Sequence, residues 1–325
     1  SVMRLGRMYH EATGDARPFD SQWRAMVAVV LHTYQEQQAP LTPDNFTSVN
    51  YTFQTLTHEP KDTSAHGIGR SHRWTGMVRT SFLPSDDSPR LPYHVPSNAF
   101  AVVELNATAR LLRNLSASDC QGRPGEPSLE ELAQRAEDLA SEIHSGIQRF
   151  GFMYHGTSGK RVFAMEVDGF GNAFFGDDAN VPSLLSLPFL GYVDAQDTVY
   201  RNTRSMLLSD TTNPYYYGSS DIHSKGIGGV GSEDASGNAG LGRVWGLSLA
   251  VRLLTIDLTS ADAKDEAQWI LRGLKESSAG TGLMHESFDY RDPTVFTRPW
   301  FAMANSMLGE ALLQVASNRP EWLFH

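Results

Sequence analysis

Six stretches of this chain carry apolar residues at helical spacing, and that pattern restricts it to a mainly α architecture. They are residues 21–38, 98–115, 128–149, 241–259, 263–276 and 299–316, with a weaker one at 196–208. In the third, Leu129, Leu132, Ala136, Leu139, Ile143 and Ile147 form one stripe. Ser128 precedes that stripe and Glu131 follows three positions on, the pattern of a capping box. In the first, Trp23, Met26, Val27, Val30, Leu31 and Tyr34 share a face, with Ser21 as the expected N-cap. Val2, Leu5, Tyr9 and Ala12 make a further helical face, stopped by Gly14. No cap precedes Val2, so the chain is expected to begin inside that helix. Strand signals are sparse: 152–155 and 161–167, joined through a turn at 156–159, read as one small β-hairpin.

Length and charge narrow the function. A chain of 325 residues can bury a large core, and no low-complexity linker divides it, so residues 1–325 are expected to form a single domain. The 27 basic and 37 acidic residues leave a net charge of −10, which repels phosphate backbones; no nucleic acid partner is expected. No apolar run approaches the roughly 18 to 20 residues that would span a bilayer, so no membrane insertion is expected of this chain. Cys120 is the only cysteine, which excludes an intrachain disulfide and a thiolate metal site. Sequons at Asn45, Asn50, Asn106 and Asn114 exceed the about two expected by chance, and point towards the secretory pathway.

Long connections at 39–97, 168–195 and 209–240 hold most of the Asp, Asn, Gly and aromatic clusters, where binding and catalytic groups concentrate. The run from Gly226 to Gly231 matches the dinucleotide fingerprint by letter. Its polar flanks read neither as a preceding strand nor as a following helix, and a flexible glycine-rich loop is expected instead. Eleven histidines without ligand spacing predict no metal and no cofactor. What remains are carboxylates among aromatics and amides. Asp86 and Asp87 are adjacent like charges between Pro84 and Pro89, a pairing that suits a general acid or a solvated turn. Glu286 lies between bulky Met284 and Phe288 after a glycine-rich loop. Arg298 beside Trp300 offers a donor fork next to a stacking plane, or else a helix start with Trp300 in the core.

In order along the chain, PSDD (84–87), VPSNAFAVVEL (95–105), EVDGFGNAFFGDDANVPSLLSLPFLGY (166–192), NPYYYG (213–218), GRVWGLSLA (242–250), GTGLMHESFD (280–289) and DPTVFTRPWFAMANSMLGE (292–310) form a specific set. Through them the chain resembles glycoside hydrolase family 125, the exo-α-1,6-mannosidases, from about Ser21 to Leu313. The resemblance implies an (α/α)6 barrel, a metal-independent inverting mechanism and a mannose-containing oligosaccharide or N-glycan as substrate. It assigns the general acid to Asp86 or Asp87, with Asp86 favoured, and the general base to Glu286. Asn98, Asp168, Asp177, Asp178, Asn180, His285, Arg298, Trp300 and Asn305 fall in matching motifs and are candidates for shaping the sugar pocket. Two departures stand out: Leu83 occupies a position where many relatives carry Arg, and no Trp-Leu-Arg-Asp-Ser segment is found. A barrel incomplete at its N-terminus is therefore expected. Another linkage specificity, or a sugar-binding remnant without turnover, are the alternatives.

Overall fold

The computed structural model describes residues 2–42, 52, 67–115, 125–156, 158–232 and 242–323. Asn45, Asn50 and Cys120 lie outside the described residues. Contacts group the chain into two compact units, Ser1–Ser81 with Pro89–Phe152 and Glu166–Ala173, and Phe82–Ser88 with Met153–Met165 and Phe174–His325.

The first unit holds helices α1 (Val2–Thr13), α2 (Ser21–Gln37), α3 (Val95–Asn114) and α4 (Leu129–Phe150). α3 lies along α4, α1 packs on α3, and α2 on α4. The stripe expected on α4 is its buried face, and the Ser128–Glu131 capping box forms as the spacing predicts. Gly146 on that face must be glycine: a Cβ there would stand 2.4 Å from the Thr75 carbonyl oxygen, so its absence admits the 75–77 backbone against the helix. α3 starts three residues before the periodic pattern because Pro96 sits in its first turn, where no N–H is needed. The sequons Asn106 and Asn114 both lie in α3.

Two expectations about this unit are corrected. The N-cap of α2 is Asp20, whose carboxylate accepts from the N–H groups of Gln22 and Trp23, and Ser21 is already helical. The apolar stripe of α1 is not its packing face: Leu5 is 71% exposed and Val2 and Tyr9 are also exposed. α1 docks instead through buried Met3, through Gly6 against Phe19 and Trp23, and through Arg7, which grips the buried carboxylate of Glu104 on α3 with two hydrogen bonds. A charged partner on α3 decides the face that the helical pattern alone assigns to apolar residues.

The second unit holds α5 (Leu187–Leu190), α6 (Thr198–Leu207), α7 (Gly246–Leu254), α8 (Ala263–Ser277) and α9 (Ala302–Asn318). α7 is buried along its whole length and packs on both α8 and α9. Its Leu247, Leu249 and Leu253 meet Ile270 and Leu274 of α8, Ala304 and Ala311 of α9, and Met284 and Phe288 in one core. The expected hairpin forms with strands Phe152–Tyr154 and Arg161–Phe163, but its second strand stops short of the expected 161–167, because Glu166–Val167 pairs with Tyr93–His94 instead. Additional short antiparallel pairings were not predicted. Tyr216–Gly218 pairs with Gly228–Val230, and Ser287–Asp289 pairs with Arg243–Val244 on one side and Phe296–Thr297 on the other.

Within the glycine-rich run, Gly228–Val230 is therefore a strand and not part of a flexible loop. A Cβ on Gly228 would stand 2.0 Å from the Ser219 carbonyl oxygen, and one on Gly229 2.8 Å from the Val244 side chain. The glycines are there so that strands and helix can approach.

Candidate active site

Glu286 is held from three directions, all within the second unit. Asn305 on the first turns of α9 accepts from the Met284 N–H through Oδ1 and donates through Nδ2 to the carbonyls of Met284 and Phe301. His285 donates from Nδ1 to the Pro299 carbonyl at 2.7 Å and lies flat on Phe296, with ring centroids 3.6 Å apart. The carbonyl can only accept, so Nδ1 carries the proton. Beside them, the Ser287 and Thr297 hydroxyls hydrogen-bond across the paired strands at 2.7 Å. The loop that carries the carboxylate is thus fixed to strand and helix, as a reacting group must be.

A cation stands beside the Glu286 carboxylate. Oε1 forms an ion pair with Arg298 Nη1 at 3.1 Å. Arg298 itself has a left-handed backbone, φ 40°, one of three non-glycine residues with positive φ among those described. A second is Asp86, with φ 70°. Such conformations cost roughly 1–3 kcal/mol and collect at functional sites. Trp300 is 59% exposed, so it is not the core residue that a plain helix start would make it.

Asp86 and Asp87 sit in a turn closed by two backbone hydrogen bonds, from Asp86 N–H to the Leu83 carbonyl and from Leu83 N–H to the Asp87 carbonyl. By its contacts the Phe82–Ser88 segment belongs to the same compact unit as Glu286, about two hundred residues later in sequence. Asp86 is exposed and Asp87 half-buried. A general acid more buried than the base would be the usual expectation; here Asp86 is more exposed than Glu286, whose side chain is 13% exposed.

The remaining polar candidates make hydrogen bonds within the protein. In the first unit, Asn98 accepts from the Val78 N–H and donates to the Val78 and His94 carbonyls, which ties the 78–80 segment to α3. Asp168 closes its own glycine turn, accepting from the N–H groups of Phe170 and Asn172 and from the Asn172 amide. In the second unit, Asp178 accepts from the Asn180 backbone and side chain and from the Ser232 hydroxyl. Asp177 accepts from the N–H of Leu184 at 2.7 Å and of Leu185 at 2.8 Å, one through each oxygen. Sequence reasoning did not single out Asn213, whose amide oxygen accepts from the N–H groups of Asp177 and Tyr215; the Asn-Pro pair at 213–214 was its one visible signal. Among the described residues, no three His, Cys, Asp or Glu side chains gather as a metal would require.

Burial pushes the Asp177 carboxyl up to about 8, against the opposing pull of the Leu185 and Leu184 N–H groups. The folded state therefore keeps this proton to a higher pH than the unfolded chain, and ionising Asp177 erodes stability as pH rises from about 4 to about 8. Replacing it removes both acceptors. Asp177→Ala leaves two buried N–H groups unpaired at about 1–3 kcal/mol each, so urea unfolding should show a loss of about 2–5 kcal/mol. A loss below about 1 kcal/mol would mean that water enters and satisfies both groups.

The sequence profile of glycoside hydrolase family 125, described as metal-independent α-mannosidases, matches residues 1–313. The chain belongs to this family. A curated relative, the meiotically up-regulated gene 157 protein of Schizosaccharomyces pombe, is 38% identical over 333 residues. That match covers 99% of this chain but 59% of the relative, so the chain spans well under two thirds of its length. Among solved structures, a Streptococcus pneumoniae protein is similar with a TM-score of 0.82 and 33% identity. The match covers 98% of this chain and 67% of that one. That structure is described as a metal-independent α-mannosidase in a non-productive substrate complex with α-1,6-mannobiose. The fold accordingly falls in the (α/α)6 class of family 125. The family profile runs across both compact units. No helix among the described residues is long and apolar enough to cross a membrane.

Proposed function

We infer that the chain removes a terminal, non-reducing α-1,6-linked mannose from an oligosaccharide or N-glycan, with inversion. The observation that carries this reading is the braced carboxylate of Glu286: Asn305 and His285 fix the segment that bears it, and Arg298 Nη1 stands 3.1 Å from Oε1. In the reaction, Asp86 gives its proton to the glycosidic oxygen as the bond to the anomeric carbon breaks. Glu286 takes a proton from a water whose oxygen forms the new bond on the opposite ring face. Such a pair needs roughly 6.5 to 9.5 Å between its carboxyl groups to admit the water. Trp300 supplies an exposed plane for the apolar face of a sugar ring. The similar Streptococcus pneumoniae structure, with α-1,6-mannobiose bound, supports the linkage.

Incubation with α-1,6-, α-1,3- and α-1,2-mannobiose, followed by proton NMR from the first minutes, tests both linkage and stereochemistry. The expected result is cleavage of the α-1,6 isomer alone, with β-mannose as the first product. Initial α-mannose would establish a retaining mechanism instead. Binding of the α-1,6 isomer without cleavage would make the chain a sugar-binding protein.

A further inference from the structure

The Arg298 side chain is 67% exposed, yet its surroundings hold it in place. An exposed arginine ordinarily keeps much rotamer freedom, and ordering it costs entropy. Three contacts order this one, all within the second unit. Its guanidinium carbon lies over the Phe301 ring, 5.9 Å from the centroid, within the range of a cation–π attraction. Phe301 is fixed in turn, edge-on to Trp245 at 5.8 Å and by its N–H to the Met284 carbonyl at 3.0 Å. The other two contacts both go to Glu286. The Arg298 carbonyl accepts from the Glu286 N–H at 3.3 Å, and Nη1 stands 3.1 Å from Oε1. The residue that makes both has a left-handed backbone, φ 40°, which any side chain with a Cβ disfavours.

The sequence pattern reads Arg298 as a donor fork turned towards a sugar. In the structure its charge is directed at a carboxylate. Glu286 is 13% exposed, and among the described residues Arg298 is the one cation paired with it. A carboxylate that takes a proton from a placed water needs a fixed orientation, and a neighbouring charge supplies one. The backbone ties of the segment do not depend on the guanidinium, so removing it frees the carboxylate and leaves the loop in place.

We propose that Arg298 is a positioning residue, which acts through Glu286 by holding its carboxylate for proton removal, and not a sugar ligand. This rests on the reading of Glu286 as the general base.

A double-mutant cycle tests it, with dinitrophenyl α-mannoside as substrate so that low residual rates can be measured. Arg298→Met alone should lower kcat by about 10–10²-fold, the loss that a misplacement of about 1 Å produces. KM should change by less than about twofold, since no ground-state contact with the sugar is removed. Added to Glu286→Gln, the same substitution should change the rate by less than about twofold, because residues that act as a unit are not additive. Arg298→Lys restores a charge for a pair made by one nitrogen and one oxygen, and should recover most of the loss. Arg298→Gly relieves the left-handed backbone, so it should melt no lower than the unsubstituted chain while losing kcat as Arg298→Met does. Should Arg298→Met not fold, Arg298→Gly completes the cycle in its place. The same loss in both backgrounds, or a raised KM with kcat unchanged, overturns the proposal and makes Arg298 an independent sugar contact. A lowered melting temperature for Arg298→Gly overturns it in favour of a purely structural role. A near-normal rate for Glu286→Gln alone is a different result: it removes the general base, and the proposal with it.

Discussion

Glu286→Gln is expected to lower turnover of α-1,6-mannobiose by a factor of about 10²–10⁴ while the protein remains folded and still binds the sugar. The amide keeps the size of the carboxylate but cannot accept a proton from water. Its structural cost is small, because the ion pair it breaks is with an Arg298 side chain that is 67% exposed. Exposed pairs of this kind contribute about 0–1 kcal/mol. The supports of the segment, from Asn305 to the Met284 backbone and from His285 to Pro299, do not involve the carboxylate and survive the substitution. Steady-state kinetics with calorimetric binding separate the two effects. A variant within a few-fold of the normal rate removes Glu286 from the chemistry, and a large drop in melting temperature makes it a structural residue.

The second large effect is expected at Asp86. Asp86→Asn should lose a comparable factor on α-1,6-mannobiose, whose departing sugar needs a proton, yet retain most of its rate on dinitrophenyl α-mannoside, whose leaving group departs as a stable anion. Asn is among the residues that best tolerate a left-handed backbone, so the turn at φ 70° should persist. Asp87→Asn provides the contrast. Asp87 is the more buried of the two, and its replacement should cost more stability than that of Asp86 and show no dependence on the leaving group. A leaving-group effect confined to Asp87→Asn would transfer the acid role to Asp87.

Much of the fold was legible because its signals are local. The capping box at Ser128 and Glu131, the stripe on α4 and the hairpin after Gly151 depend on residues within a few positions of one another. The motifs around Asp86, Glu286 and Arg298 were legible for a different reason: their order along the chain matches a family. Side-chain roles were less legible. Asp168, Asp177 and Asp178 stand among glycines and read equally well as sugar ligands or turn caps. In the structure, Asp168 closes its own turn, Asp177 holds the N–H groups of residues seven and eight positions on, and Asp178 holds Ser232 fifty-four positions on.

The sequence by itself determined the helical class, the start of α4 at its capping box, and which carboxylates are candidates for acid and base. These are properties of spacing and residue type, and they hold before the chain folds. Tertiary structure alone decided that Gly228–Val230 is a close-packed strand, that the apolar face of α1 stays exposed, and that Asn98 and Asn305 brace backbone. The physical reason is common to all three. Periodicity and capping act between near neighbours, whereas the pairing of buried polar groups and the approach of bare backbone depend on atoms that only the folded chain brings together.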